Sequence, residues 1–283
     1  MAGHLKSQSY GKHSVRVSKV RRPREATAKD EHHEFVEATV NIELQGDFNA
    51  AYTDADNSAV IATDTCKNTV YALAKDHPLD TIESFGLTIA DYFLSNFSQV
   101  ESCQISLSEQ VWTRLHDSAH GFIASDKATP TTAITQTKGQ PPTVQSGVQN
   151  VLIAKTTESG FENFHPSEFR TLADTNDRIL ATDLTATWVY ASAGEDFSTH
   201  RKSIVDALLA RFLDHYSYSV QETLYKMAQT ALDKCQQISE ITLSMPNKHH
   251  ILANLAPLDR ENDNEVFVVT DEPFGYITAT VER

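Results

Sequence analysis

Three cysteines in 283 residues, Cys66, Cys103 and Cys235, with no Cys-x-x-Cys pair among them, leave no disulfide framework and no zinc ribbon to build on. That usage fits a reduced compartment, and a cytoplasmic location is expected. No run of about 18 apolar residues is present, so no helix is expected to span a membrane. The opening MAGHLKSQSYGK lacks an apolar stretch of the secretory type, and the closing TATVER is not a peroxisomal tripeptide. Positive charge is scarce: 24 Lys and Arg stand against 38 Asp and Glu, a net −14. A phosphate backbone needs a basic footprint, which argues against nucleic acid as the main partner. A small anion in a local basic pocket is still allowed. Histidine pairs occur at 32–33 and 249–250, but neighbours on a strand point to opposite faces, and no His-x-x-x-His or cysteine partner accompanies them. No metal is expected.

The chain does have enough apolar residues, 40%, for a sizeable core, and enough length for one large domain or two ordinary ones. Residues 1–11 read as a flexible tail. Val36, Ala38, Val40, Ile42 and Leu44 alternate with polar residues, the pattern of a half-buried antiparallel strand. A loop is expected at 46–59, then a short strand end running into a helix over 60–75. Ile82, Phe85, Ile89 and Phe93 form one helical stripe. Strands are expected around 99–107 and 109–124. The Thr-, Gln- and Pro-rich stretch 126–147 reads as a linker or hairpin with a domain boundary near 140–147. The second half repeats the order: strands in VQNVLIAKTT and RILATDLTATWVYA, then a helix with Ile204, Leu208, Leu209 and Phe212 on one side. A second helix has Val220, Leu224 and Met227 in phase, and strands follow in ISEITLSMP and EVFVVT. Each half is thus strand-strand-helix-helix-strand-strand, an α+β arrangement of two antiparallel sheets, each backed by two helices. The expected domains are 12–144 and 145–283.

Polar residues interrupt this pattern where elements begin or end. Pro246-Asn247-Lys248-His249-His250 follows a strand, a composition no core strand would choose. Lys12 follows Tyr10-Gly11 at the start of the first strand. Thr63-Asp64 open a helix, where outward backbone N–H groups are suited to an electronegative group. Arg178 is expected to open a strand, and Val220-Gln221 a helix. Read singly, Lys12 and Arg178 are surface charges, Thr63-Asp64 an N-cap, Asn247 a turn residue and Phe161 core.

Together, these stretches resemble the urate oxidase (uricase) family, of the bacterial type, from about residue 10 to the end. The resemblance rests on YGKHSVRV (10–17), VIATDTCKNTVYALAK (60–75), VWTRLHDSAHGF (111–122) and KTTESGFENF (155–164). It continues through RTLADTNDRILATDLTATW (170–188), SVQETLYKMA (219–228) and SMPNKHH (244–250), all in the family's order. It implies two tandem tunnelling-fold (T-fold) domains and a homotetramer with each site between two subunits. The implied reaction oxidises urate with dioxygen and water to 5-hydroxyisourate and hydrogen peroxide, in purine degradation, with no cofactor.

On this chain the resemblance assigns Arg178 a bidentate contact to the pyrimidine side of urate. Gln221 pairs its amide with the ligand, helped by the Val220 backbone, and Phe161 stacks on the purine plane. Thr63 and Asp64, supplied by the partner subunit, meet the other end of the ligand. Asn247 helps define the dioxygen and water site, and Lys12, Thr63 and His249 form a proton relay. His13 and Met245 depart from the family pattern without touching these roles. Two other classes compete: the zinc- or pterin-handling branch of the same fold, which needs a Cys/His cluster, and a purine-binding protein without turnover, which would not need the relay residues.

Overall fold

The computed structural model describes residues 3–22, 32–125 and 128–283. The chain divides into two compact units: residues 1–147 with 189–198, and residues 148–188 with 199–283.

The first unit begins with strand β1 (Tyr10–Arg21) antiparallel to β2 (Glu34–Gly46). The expected tail therefore ends before Tyr10. Tyr10 pairs with Leu44 and Gly11 with Glu43, and the Gln8 side chain donates to the Gly46 carbonyl. The alternation in β2 holds, with Ala38, Val40, Ile42 and Leu44 fully buried and Val36 only half-buried. Between the strands and the first long helix lies α1 (Asn49–Thr53), a single turn inside the expected loop, with no side-chain cap. Residues 60–62 are irregular rather than a strand end, and α2 (Thr63–Asp76) follows. The stripe Ile82, Phe85, Ile89 and Phe93 is buried in α3 (Ile82–Asn96), whose N-cap Thr81 accepts a hydrogen bond from the Ser84 N–H.

β3 (Val100–Gln110) pairs with β2. The strand expected over 109–124 is broken into β4 (Trp112–Arg114) and β5 (Phe122–Ala124), a small hairpin. Arg114 closes it by donating to the carbonyls of Ser118, Ala119 and His33. The stretch expected as a linker holds β6 (Thr129–Thr137), paired with β3, and the start of β7 (Thr143–Lys155); residues 126 and 127 lie outside the described set. Its threonines are β-branched strand formers. Pro130, Thr132 and Ile134 point inward, and Thr132 Oγ1 donates to the Gln145 carbonyl. The strand order in this unit is β1-β2-β3-β6, with α2 packed on β1 and α3 on β3 and β6.

The second unit has the order β7-β8-β9-β12, made by β7, β8 (Leu180–Tyr190), β9 (Ile238–Ser244) and β12 (Thr278–Glu282). Between β8 and β9 run α4 (Phe197–Leu213) and α5 (Val220–Lys234). α5 packs on β9 and β12, and buries Val220, Leu224 and Met227 as their spacing predicts. On α4 the buried set is Phe197, Ile204, Ala207, Leu208 and Phe212; Leu209 is only half-buried. Between β9 and β12 a second hairpin is inserted, β10 (His249–Leu252) with β11 (Phe267–Thr270).

Candidate active site

In the first unit, Lys12, Thr63 and Asp64 come together for a reason that can be measured along the backbone. Lys19, further along β1, donates from its ammonium to the carbonyls of Ala74, Lys75 and His77 at the end of α2. Seven strand residues back from Lys19 is about 23 Å, and the fourteen-residue helix spans about 21 Å. The start of α2 therefore lies beside Lys12. Tyr10 fixes that end: its hydroxyl accepts from the Ile61 N–H at 2.8 Å, and its ring meets Phe48 edge-on. The N-cap is Ala62, which offers no side-chain acceptor, so Thr63 and Asp64 occupy the first helical positions instead of capping them. Lys67 and Asn68 both hydrogen-bond the Asp64 carboxylate. The Lys67 hydrogen bond and charge, with a smaller contribution from Lys12, hold that carboxylate below its usual range. Among the described residues the Lys12 ammonium makes no ion pair or hydrogen bond. Burial pushes the neighbouring Cys66 thiol up to about 11, which marks it as packing rather than a nucleophile.

In the second unit, a cavity of about 280 Å³ is walled by Phe161, Arg178, Asn247 and His249, with Thr175, Asp177, His250, Leu252, Asn264 and Phe267 nearby. The long β7–β8 connection supplies Phe161 and Arg178. It is tied into shape by hydrogen bonds from Phe161 N–H to the Thr175 carbonyl at 2.7 Å and from Arg178 N–H to the Ser159 carbonyl at 2.9 Å. Arg178 does not open β8 but precedes it by two residues and is held by the loop. Its guanidinium lies 5.3 Å from the Phe161 ring centre, and burial lowers its pKa from the ordinary value. Its Nε is buried with no hydrogen-bond partner among the described residues. A buried guanidinium donor without an acceptor, beside a cavity, is what an anionic or carbonyl-bearing ligand would satisfy.

The polar break at 246–250 lines the same cavity. Asn247 N–H donates to the Gly275 carbonyl and Lys248 N–H to the Ala181 carbonyl, and the Lys248 ammonium pairs with Asp271 at 3.1 Å. Lys248 is thus held by Asp271, while Asn247, His249 and His250 contribute to the cavity. His250 Nδ1 lies 3.1 Å from the Lys248 carbonyl. Met245, one of the two departures, is fully buried, and the other, His13, faces Glu43 on the surface.

Val220 and Gln221 do not line this cavity. Val220 is buried and Gln221 exposed in the first turn of α5. Ser219 caps that turn by accepting from Glu222 N–H, while the Glu222 carboxylate accepts from Tyr218 N–H. The turn is joined to the Phe161 loop through Ser217, which accepts from Gly160 N–H and donates to the Glu158 carbonyl. A buried polar chain supports the join: Thr223 Oγ1 lies 3.0 Å from His215 Nε2 and 2.7 Å from Ser217 Oγ, and Lys155 donates to the His215 carbonyl. Gly160 has no room for a side chain, since a Cβ would come 2.3 Å from the Tyr216 hydroxyl.

Two residues escaped the sequence reading. Phe164 stacks on Phe161 with ring centres 4.6 Å apart and planes 9° from parallel, and the Arg170 guanidinium lies 3.9 Å from the centre of the Phe164 ring. Arg170 is itself held by Asp174 at 2.6 Å. The sequence contained these residues within family motifs but offered no signal that they stack. Among the described residues, no group of three His, Cys, Asp or Glu is placed to hold a metal ion. Among the described residues no helix is long and apolar enough to cross a membrane.

This arrangement, a doubled α+β unit with a cavity of about 280 Å³ and a buried Arg178 Nε that has no acceptor among the described residues, has close relatives. The uricase family model matches residues 8–135 and 144–278. The chain is 38% identical over 279 residues to the uricase of Arthrobacter globiformis, covering 99% of this chain and 90% of that one. It is 35% identical to the uricase of Dictyostelium discoideum, covering 97% and 96%. The crystal structure of the Arthrobacter globiformis uricase superposes with a TM-score of 0.94, over 100% of this chain and 96% of that one. The chain belongs to the uricase family.

Proposed function

We infer that this protein is a urate oxidase, converting urate, dioxygen and water to 5-hydroxyisourate and hydrogen peroxide. The observation that carries the reading is the buried, unpaired Arg178 Nε beside the Phe161 cavity, in a chain that matches the uricase family nearly end to end. In the proposed complex the Arg178 fork binds the pyrimidine side of urate, Gln221 pairs its amide with the neighbouring edge and the Val220 backbone assists. Phe161 lies along the purine plane, and Asn247 borders the place where dioxygen and water meet the ring. Thr63 and Asp64 of the partner subunit complete the far end.

Dioxygen is a triplet and reacts slowly with closed-shell molecules, so the protein's task is to make an electron-rich urate dianion and to manage protons. Two electrons leave the purine for dioxygen, two protons complete hydrogen peroxide, and the oxygen of water is added to the ring carbon. An ammonium beside a hydroxyl lowers the cost of an alkoxide-like base, and an imidazole passes the proton on. Lys12, Thr63 and His249 fill those parts. Sites shared between subunits require self-association, and we propose a homotetramer. Exposed apolar side chains on the β10–β11 hairpin, Ile251, Leu252, Val268 and Val269, support association. Three free, buried cysteines support a cytoplasmic setting.

The test is urate turnover in chelator-treated buffer, following urate absorbance and hydrogen peroxide together. One peroxide per urate lost is expected. Binding without consumption, or turnover only on adding metal, overturns the reading.

A further inference from the structure

The pairing of β1 with β2 contains an irregularity beside Lys12. Lys12 faces Ile42 and Val15 faces Val40, so His13 and Ser14 together oppose the single residue Asn41. This is a β-bulge, and it changes which way Lys12 points. Directly opposed residues of an antiparallel pair share a face. Val15, Val40 and Ile42 all face the buried side, where α2 packs on β1. Had the register set by Val15 and Val40 continued unbroken, Lys12 would oppose Glu43 and point to the outer face. The extra residue returns Lys12 to the inner face, beside Asp64 and Cys66, and leaves His13 outside with its ring 3.4 Å from the Glu43 carboxylate.

Three features hold the bulge. Ser14 adopts a left-handed conformation, φ 57°, uncommon for a residue with a side chain. Its N–H donates to Asn41 Oδ1 at 2.7 Å, so the lone opposing side chain occupies the donor that the bulge removes from the ladder. On the other flank Gly11 lies so close to β2 that a Cβ would come 1.8 Å from the Ile42 carbonyl oxygen.

We propose that Asn41, through Ser14, is a positioning residue that sets the register of β1 and so turns the Lys12 ammonium toward the start of α2. The proposal rests on the reading above that Lys12 serves the proton relay, and the test separates the two. Native protein is treated with an amine-acetylating reagent, Lys12 modification is timed by mass spectrometry, and urate turnover is measured on the same preparations. Asn41→Ala removes the acceptor; Asn41→Asp keeps one. Ser14→Val opposes the left-handed conformation; Ser14→Gly permits it. Asn41→Ala and Ser14→Val are expected to speed Lys12 acetylation several-fold and to lower kcat about 100-fold with KM little changed, the scale of a misplaced reacting group. Asn41→Asp is expected to restore both measurements, and Ser14→Gly to keep acetylation slow. Should Ser14→Val fail to fold, the two Asn41 variants carry the test. Acetylation of Lys12 at the parent rate in Asn41→Ala overturns the positioning role. Faster acetylation with undiminished turnover upholds the register role and instead removes Lys12 from the relay.

Discussion

The two units share an order of strands and helices, and each interrupts it at the same place with a small hairpin. Between β3 and β6 the insertion is β4–β5, with strands of three residues closed over by Arg114. Between β9 and β12 it is β10–β11, whose first residues His249 and His250 wall the cavity. The connection from β7 to β8 differs as well, since it carries Phe161 and Arg178. One unit offers reactive groups at a strand bulge and a helix start; the other offers a shaped, partly apolar recess. On the proposed reading, the first unit carries Lys12 and Thr63 of the proton relay, and the second carries the groups that grip the ligand together with the relay's His249.

That division can be broken by kinetics, because loss of a proton handler and loss of a grip leave different marks. The largest effect is expected from Lys12→Met, a fall in kcat of about 10²–10⁴-fold with KM nearly unchanged, the range for a removed acid–base group. Steady-state rates with urate decide it; a change confined to KM would place Lys12 with the binding groups. Next comes Arg178→Gln, which removes a partly buried charged contact and is expected to lower kcat/KM by roughly 30-fold or more, mostly through KM. Equilibrium binding of a non-oxidisable purine analogue should weaken in parallel. Phe164→Leu probes the stack behind Phe161 and should raise KM about threefold to tenfold, the worth of one aromatic pair. An unchanged KM would show that the Phe161 ring is held without it.

The smallest effect concerns pH, and it compares the units directly, since each half-buries a histidine. Desolvation lowers the pKa of both His77 and His215 from the ordinary 6.5. The unfolded chain therefore binds these protons first as pH falls. Stability from the two neutral rings is fully present above 6.5 and is lost as pH drops from there toward their folded values. Melting midpoints should fall between pH 7.5 and pH 5, and His215→Gln should flatten the part of that slope due to the second unit. A parent midpoint that rises on acidification would reverse the sign.

The elements that were legible in the sequence are those whose partner is water or a continuous core. β2 shows its period of two because one face is wet, and α3 shows its stripe because one face is buried. α1 was invisible because a single uncapped turn leaves no periodicity to read. β6 was hidden by composition, since Thr and Pro suit a linker as well as a strand until pairing with β3 is known. On α4 the spacing favoured Leu209, while the helix turns Ala207 inward instead. The candidate site was legible only through motifs in a fixed order. Nothing local in Phe161 or Arg178 announces a ligand, and the Phe164–Arg170 stack and the β1 bulge exist only across chain segments.

The buried Nε of Arg178, without an acceptor among the described residues, also bears on stability. Folding takes that donor out of water without an acceptor from the described residues, a cost of about 1–3 kcal/mol for a group of this kind. The site around Arg178 is therefore a local weakness, one that selection for durability alone would remove by putting an apolar side chain at position 178. A molecule presenting an acceptor there repays the deficit on arrival, so occupancy should raise the melting temperature of the parent. A variant hardened at this position would melt higher when empty and gain less from the ligand, trading the capacity to recognise a substrate for the stability to wait without one.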